Sequence, residues 1–400
     1  MSMNTKEHFR QAVFETPFHP RTSALNIRCE WHRWKDYITA DAYYDEALEY
    51  AGIRNACAVF DITPMTKHRI TGPDALAFLN RLVTRNVTKI KPGRVGYTVW
   101  CNDSGHVIDD GTIFHLRAGD YRLCSQERQL DWLMRSAHGF DVKIVEETHD
   151  VAALALQGPT SCAVLKAIGC LGLEKLSPFG IAYYPFQGGE LMVSRTGFTG
   201  DLGYELWIDP SRALALWDAL FDKGEIHGIR PMGTHALDVA RIEAGFLQAH
   251  VDFLPADQAI KLDRARSPFE LDLAWLVDLE KPNFNGRRAL LEEKKRGSRF
   301  RLVRLDIEGN KPAHSSYIYA DRNKGEVVGT ITSAQWSPSA KANIALASMH
   351  MPWGRPGDEL WVDIYYRKEL EWSRVMARAC VVEGAFFDPP RRRATPAADF

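Results

Sequence analysis

A glycine-rich segment between two strand-like stretches constrains the fold of this chain most. Three glycines at a spacing of three, from Gly197 to Gly203, lie between Glu190–Arg195 and Tyr204–Ile208, which are both typical of strands. The spacing predicts two strands joined by a turn whose backbone approaches another group closely. Glu205, just beyond the last glycine, can accept two neighbouring N–H donors of a flat heterocycle. A glycine-rich turn with a solvated glutamate gives the same pattern, so both interpretations remain open at this point.

The composition is that of an ordinary soluble protein with more than one structural unit. A length of 400 residues favours two or three units, and 45% hydrophobic with 25% charged residues is typical of globular proteins. The formal net charge of −1 gives no global attraction for nucleic acid or an anionic membrane. No run reaches the roughly 18 apolar residues that span a bilayer, and the polar stretch Met1–Arg10 lacks a signal peptide's apolar core.

Cysteine usage and the absence of common motifs narrow the function classes. The seven cysteines are scattered, odd in number and without C-x-x-C spacing, which predicts free thiols in a reducing, cytoplasmic location. Histidines and cysteines never cluster at zinc-ligand spacing, so we expect no metal. The chain has no G-x-S-x-G elbow and no Walker A loop, and its G-x-x-G-x-x-G spacing is not the dinucleotide fingerprint.

Local patterns predict a mixture of helices and strands in most of the chain and a strand-rich segment toward its C-terminal end. The predicted helices are Ala40–Tyr50, Ala75–Leu82 with Asp74 as its cap, Leu130–Ala137, one that opens near Thr160, Arg212–Asp222, Ala236–Glu243 and Arg287–Arg296. The predicted strands are Val59–Ile70, Tyr97–Cys101, His106–Leu116 and Val151–Leu156, besides the pair around the glycine-rich turn. From Phe300 to Glu383 the chain is almost wholly of strand and turn character, which suits a small β-barrel.

Several motifs, taken in their order along the chain, resemble one known family. They are Gly52–Met65, Ile70–Ala75, Phe78–Leu82, Gly105–Gly111, Leu156–Pro159, Ser194–Glu205, Ala240–Gly245, Gly286–Leu290 and Ile331–Pro338. From about Thr16 to about Val382 the chain resembles the aminomethyltransferase family, which comprises the T-protein of the glycine cleavage system and its folate-dependent demethylase relatives.

The resemblance implies an α+β fold with three lobes around a central folate channel and a C-terminal β-barrel. It predicts a folate-binding region of two lobes over residues 20–285, a barrel lobe over 286–385 and a tail over 386–400. The Arg391–Arg393 cluster of that tail is interpreted as a solvated end.

Two adjacent aspartates are candidates for the chemistry. Asp109 and Asp110 lie on a predicted strand, where successive side chains point to opposite faces, so we expect only one to face a cavity. The resemblance assigns the catalytic role to Asp109, beside the folate. A partly buried carboxyl with a raised pKa can protonate a leaving group or deprotonate a nucleophilic nitrogen. A turn-proximal aspartate bonded to backbone is the structural alternative.

Cofactor-binding candidates follow from the resemblance as well. Glu205 would hold the pterin edge of tetrahydrofolate, and Tyr97 and Met65 would line the same cleft. Trp336 would stack on the aminobenzoyl ring, and Gln126 lies where T-proteins have an asparagine. For Tyr97, Met65 and Trp336, packing in a sheet or core is the alternative interpretation.

An N-terminal aromatic cluster is the candidate donor site. Trp31, Trp34 and Tyr37 lie in the stretch where family members place donor-specific residues. Aromatic faces attract cationic methyl donors and also stack on methoxylated rings. The cluster does not separate these two donor classes, and packing on the core is its alternative interpretation.

Departures from the T-protein pattern decide between functions. Leu237 stands where T-proteins carry an arginine, and the short spacing from Gln126 to Trp132 resembles dimethylsulfoniopropionate demethylases. We therefore predict a tetrahydrofolate-dependent methyltransferase that demethylates a small O-, N- or S-methylated compound. The alternative is a T-protein that works with a lipoyl carrier protein. A second alternative is a non-catalytic folate-binding regulator, although Gly245–His250 lacks the cysteine of that subgroup's motif. We expect no nucleic-acid or membrane partner.

Overall fold

The computed structural model describes residues 13–323, 325–394 and 396. Its first part forms an N-terminal hairpin, one strand of a first large sheet and all five strands of a second. The elements are α1 His19–Leu25, β1 Glu30–Trp34, β2 Tyr37–Ala42, α2 Glu46–Asn55, β3 Cys57–Asp61, β4 Thr66–Thr71, α3 Ala75–Leu82, β5 Arg94–Cys101, β6 Val107–Arg117, β7 Asp120–Ser125, α4 Leu130–Ser136 and β8 Lys143–Glu146.

The next part completes the first large sheet and its helices. The elements are β9 Ala152–Gln157, α5 Ser161–Ala167, β10 Ile181–Phe186, β11 Gly189–Ser194, β12 Gly203–Ile208, α6 Ala213–Gly224, β13 Ile229–Pro231, α7 Thr234–Glu243 and α8 Arg287–Arg296. The six-stranded sheet has the order β10-β11-β12-β9-β3-β13, and the five-stranded sheet has the order β5-β6-β7-β4-β8. All described pairs in both are antiparallel except β13 with β3.

The last part is a closed barrel. Its strands are β14 Phe300–Ile307, β15 Tyr317–Tyr319, β16 Val327–Ser337, β17 Ala342–His350, β18 Glu359–Lys368 and β19 Glu371–Val382. They close in the order β14-β17-β16-β15-β18-β19 around a core of small and branched apolar side chains. This barrel confirms the prediction from strand and turn character, and the helix predicted before it matches α8.

Two of the predicted elements were wrong because distant pairing overrides local pattern. The helix predicted over Ala40–Tyr50 begins only at Glu46, capped by Asp45, because the residues before it pair with β1. The single strand predicted over Val59–Ile70 is two strands in different sheets. The Ile62–Met65 link between them contains a proline, which cannot donate to a ladder. Asp74 precedes α3 as predicted, but its carboxylate accepts from the Asp141 N–H instead of capping the helix.

A shared apolar layer joins the two large sheets. Val95, Phe114 and Cys124 from the five-stranded sheet pack with Ala155 and Trp207 from the six-stranded sheet. The rings of Phe114 and Trp207 meet edge to face at 5.0 Å, a geometry that aromatic quadrupoles favour. The opposite face of the six-stranded sheet packs on α5 and α6. Each large sheet therefore has one face toward its own helices or loops and one toward the other sheet.

The tail folds back onto the glycine-rich turn. Arg391 binds the buried carboxylate of Asp201 with two nitrogens, at 2.6 and 2.9 Å. Arg392 lies over the ring of Phe246, whereas Arg393 pairs with Asp388 at the surface. The interpretation of the arginine cluster as a solvated end was therefore wrong for Arg391, because a buried carboxylate requires a cation. No helix of the described residues is long and apolar enough to cross a membrane.

Candidate active site

Glu205 lies on the face of β12 that is turned toward the shared apolar layer. It stands opposite Ser194 on β11 and Ala155 on β9. Trp207, two residues further along β12, lies on the same face. Its Oε2 accepts hydrogen bonds from Thr196 Oγ1 at 2.6 Å and from Ser194 Oγ at 3.5 Å. Burial raises the pKa of this carboxyl to about 7. The predicted strand pair is confirmed, and it holds an anion-forming group between two sheets.

The glycines of the turn make room for a side chain of the protein itself. A Cβ at Gly197 or Gly203 would lie 2.0 or 2.3 Å from Gln157 Oε1. The Gln157 amide donates to the carbonyls of Thr196 and Tyr204, at 3.2 and 3.3 Å. The close approach predicted from the glycine spacing is therefore to Gln157, which fixes the turn that positions Glu205.

The raised pKa of the half-buried Glu205 carboxyl should make the stability of the protein depend on pH. Its pKa is about 7 in the folded protein against 4.5 for an ordinary glutamate. Between these values the folded state binds more protons than the unfolded chain, so the free energy of unfolding falls as pH rises through this interval. We expect Glu205→Gln to melt at a higher temperature than the unsubstituted protein at about pH 8, with a difference that shrinks toward about pH 5.

Calorimetric melting of both proteins across this pH range measures the effect. Glu190→Gln is the matched control, since Glu190 is an exposed glutamate on the neighbouring strand β11. A Glu205 variant whose melting temperature follows the unsubstituted protein at every pH would contradict the raised pKa of this carboxyl.

The two adjacent aspartates of β6 have separate partners. Asp109 is fully buried, and its oxygens accept from the backbone N–H groups of Asp110 at 2.9 Å and Glu127 at 3.1 Å. Asp110 is half-buried and accepts from the Tyr97 hydroxyl at 2.8 Å. Burial raises the pKa of Asp110 to about 6, and burial followed by the charge of Asp110 raises the pKa of Asp109 well above its ordinary value. The two side chains thus have different partners, backbone N–H groups for Asp109 and the Tyr97 hydroxyl for Asp110.

Tyr97 connects this carboxylate pair to a surface groove. Its ring lies 6.0 Å from the ring of Trp275, which is 66% exposed. Trp275 lines a groove of about 410 Å³ together with Arg85, Lys89 and Lys294. Sequence reasoning missed Trp275, and its only signal there was a tryptophan in an otherwise loop-like stretch.

The shared apolar layer, toward which the Glu205 face of β12 is turned, has further side chains packed against it. They include Trp34, Met65 and Leu237. Trp34 stacks on Phe60 with ring centroids 6.2 Å apart and an angle of 28° between the planes. Its indole N–H is buried and has no partner among the described residues. Trp34 thus offers an unpaired donor beside the shared layer.

The other two residues of the predicted aromatic cluster, Trp31 and Tyr37, have side-chain partners different from those of Trp34. Trp31 packs on His19, with ring centroids 5.1 Å apart, and lines a cavity of about 10 Å³, which is room for about one water molecule. Tyr37 is buried, and its hydroxyl lies 2.6 Å from His149 Nδ1. Trp34 and Tyr37 are directly opposite each other across the β1–β2 hairpin, whereas Trp31 pairs with Ala40 further along it. Of the three, Trp34 is the one that packs against the shared layer.

Gln126 is adjacent in the chain to a residue that contacts the carboxylate pair. It directly precedes Glu127, whose peptide N–H donates to Asp109. The Glu127 carboxylate forms an ion pair with Lys35 of the N-terminal hairpin and lies 3.1 Å from His250 Nε2. Sequence reasoning missed Lys35, Glu127 and His250, because their chain positions are far apart and no local pattern links them.

Comparisons with known proteins cover both halves of the chain. Residues 24–281 match the GCVT N-terminal domain, and residues 301–388 match the glycine cleavage T-protein C-terminal barrel domain. An aminomethyltransferase of Halothermothrix orenii is 31% identical over 359 residues, which are 88% of this chain and 96% of the relative. The chain belongs to the aminomethyltransferase family. It is an enzyme family of one-carbon transferases that use tetrahydrofolate.

Other relatives have a comparable sequence identity to this chain, and one of them carries a different enzyme name. An aminomethyltransferase of Thermotoga maritima is 33% identical over 315 residues, covering 76% of this chain and 82% of the relative. The trimethylamine-oxide aldolase of Ruegeria pomeroyi is 34% identical over 359 residues, covering 86% of this chain and 43% of that longer protein. The crystal structure of the aminomethyltransferase T of Bartonella henselae aligns with a TM-score of 0.82 at 23% identity, covering 94% of this chain and 98% of that one. This alignment confirms the T-protein fold that the sequence predicted.

Trp336 is the aminomethyltransferase-family candidate with the weakest geometric support. It lies on β16 and is 48% exposed. Its neighbours Gln335 and Ser337 make the contacts with α7, to Asp238 and Glu243. Because side chains alternate along a strand, Trp336 points away from α7. Its role in binding folate stays a prediction from the resemblance.

Proposed function

We propose that this aminomethyltransferase-family enzyme is a tetrahydrofolate-dependent demethylase. It moves a methyl group from a small O-, N- or S-methylated compound to tetrahydrofolate. The observation that carries the proposal is a pair of carboxyl groups, half-buried Glu205 on one sheet and buried Asp109 on the other, each with a raised pKa. Perturbed carboxyls of this kind are typical of functional sites.

The residues around Glu205 fit the pterin end of tetrahydrofolate. A pterin presents two neighbouring N–H donors at one edge, and a carboxylate accepts such a pair in bidentate fashion. Both hydrogen bonds that Glu205 receives from described residues reach Oε2, so Oε1 can accept another donor. Phe60 lies in the same cross-strand row as Glu205, two strands away, and supplies a flat apolar neighbour together with Trp34.

Asp109 is suited to proton transfer. Tetrahydrofolate supplies the nucleophilic nitrogen that accepts the one-carbon unit. The raised pKa of Asp109 keeps its carboxyl protonated to a higher pH than an exposed aspartate, so it can donate a proton to the departing heteroatom of the donor. Two backbone N–H groups fix its oxygens, and such fixed geometry contributes to rate by positioning.

Two features favour a free methylated donor over a carrier-bound one. Leu237 packs in the apolar layer where the T-protein pattern has an arginine, and Trp34 offers an aromatic face with an unpaired N–H. The Ruegeria pomeroyi relative is named for a small N-methylated compound. The cytoplasmic location stays a prediction.

The second candidate function is that of a glycine cleavage T-protein. The aminomethyltransferase relatives and the retained Asp109 favour it. This function requires a lipoyl carrier protein as partner and gives 5,10-methylenetetrahydrofolate.

The folate product separates the two candidates. We expect 5-methyltetrahydrofolate and a demethylated donor when the protein is incubated with tetrahydrofolate and a panel of O-, N- and S-methylated compounds, without any protein partner. Chromatography of the folates measures this outcome. Methylene-folate that forms only with a loaded lipoyl carrier would rule out the demethylase and support the T-protein.

A further inference from the structure

Three side chains from distant parts of the chain meet beside Asp109. Lys35 lies at the tip of the β1–β2 hairpin, Glu127 follows β7, and His250 lies in the loop after α7. Lys35 pairs with one oxygen of the Glu127 carboxylate, and His250 Nε2 lies 3.1 Å from the other. The exposed fractions of the three side chains are 24%, 12% and 34%, so the cluster is mostly shielded from solvent.

Both partners of Glu127 hold an unfavourable backbone conformation. Lys35 has a φ of 55° and His250 a φ of 66°, in the left-handed region that side chains with a Cβ rarely adopt. Residues in such conformations persist where the surrounding structure requires them, and they cluster at functional sites. The two-residue β1–β2 turn accounts for the φ of Lys35, because such hairpin turns favour a positive φ at their first residue.

Glu127 connects these residues to Asp109. Its peptide N–H donates to Asp109 Oδ2 at 3.1 Å, and its carbonyl accepts from Ser125 Oγ at 2.8 Å. One of the N–H groups that orient the Asp109 carboxylate therefore belongs to Glu127. The side chain of Glu127 is itself held by Lys35 and His250.

We propose that Lys35 and His250, joined through Glu127, are positioning residues for Asp109. This bridge from the N-terminal hairpin to the loop after α7 orients the Asp109 carboxylate and places the Lys35 ammonium near it. The proposal rests on the proposed function only in taking Asp109 as the reacting carboxyl. The orientation itself is a property of the protein without substrate.

The charges around Asp109 give the bridge a measurable effect. The titratable groups that face Asp109 are Asp110 on its own strand, Tyr97 on β5, Glu127 after β7, Lys35 on the hairpin, Asp257, and His250 through Glu127. Burial and then the charge of Asp110 raise the pKa of Asp109, whereas the positive charge of Lys35 lowers it. Removing Lys35 takes away a cation that opposes these effects, so the pKa of Asp109 should rise further.

A titration of the protein without ligands tests this effect. The side-chain carbonyl carbons of aspartate are labelled with ¹³C, and the Asp109 resonance is assigned by its loss in Asp109→Asn. We expect the Asp109 midpoint to move to higher pH in Lys35→Met and to return toward the original value in Lys35→Arg. Arg28→Met is the matched control, since Arg28 is a cation of the same N-terminal region that pairs with Glu30 at the surface. An unchanged midpoint in Lys35→Met would overturn the proposal.

Kinetics supply the second measurement. With the methyl donor found in the panel, Lys35→Met should lower kcat by about tenfold with little change in the KM for tetrahydrofolate, because the change disturbs the geometry at Asp109. His250→Asn, which keeps a residue tolerant of the left-handed conformation, should lower kcat in the same direction. A change in KM alone would overturn the positioning role. If no compound of the panel is demethylated, the proposed function fails, whereas the ¹³C titration still decides this proposal.

Discussion

Replacing Asp109 with asparagine should lower turnover by about 10²-fold or more, the usual contribution of a positioned acid or base. The amide cannot give up or take a proton at the pH of the reaction, although its oxygen can still accept from the peptide N–H of Glu127. Tetrahydrofolate affinity should stay within a few-fold, because the proposed pterin contact is at Glu205. Single-turnover kinetics and a binding titration on the same variant measure the two quantities.

Asp110→Asn is the matched control for this substitution. Asp110 occupies the next position of the same strand, and its carboxylate accepts from Tyr97 at 2.8 Å, a bond that an amide oxygen can also accept. We expect a smaller loss of turnover than in Asp109→Asn. Activity that is abolished in Asp110→Asn and retained in Asp109→Asn would transfer the catalytic role to Asp110.

Glu205→Gln should weaken tetrahydrofolate binding by about 1.5–3 kcal/mol, the range for a hydrogen bond to a charged group. A glutamine presents one acceptor oxygen and one NH₂ group, so it can no longer accept two neighbouring N–H donors. Because the pKa of Glu205 is about 7, the affinity of the unsubstituted protein should also fall as the pH is lowered below this value.

Isothermal calorimetry at several pH values measures both effects. Glu190→Gln on the adjacent strand, which exchanges an exposed glutamate, should bind like the unsubstituted protein. Equal affinities of Glu205→Gln and the unsubstituted protein would remove Glu205 from the cofactor site.

Elements governed by local chemistry were predictable from the sequence. The helix Arg287–Arg296, the helix Ala75–Leu82 and the strand pair around the glycine-rich turn match the structure, because periodicity and turn residues define them. Ala40 and its neighbours have helical composition but pair with β1, and the Val59–Ile70 run divides between two sheets. Strand pairing depends on partners elsewhere in the chain, which override weak local propensities.

For the candidate site, the sequence by itself determined the family and the residue types, including the carboxyl groups of Asp109 and Glu205. Only the tertiary structure decided which groups surround them. It gives Trp31, Trp34 and Tyr37, which local spacing had grouped, different side-chain partners. It also brings Lys35 to Glu127 across 92 positions of the chain. Such contacts carry no periodic signal in the sequence, because burial and pairing of whole sheets determine which distant side chains share one site.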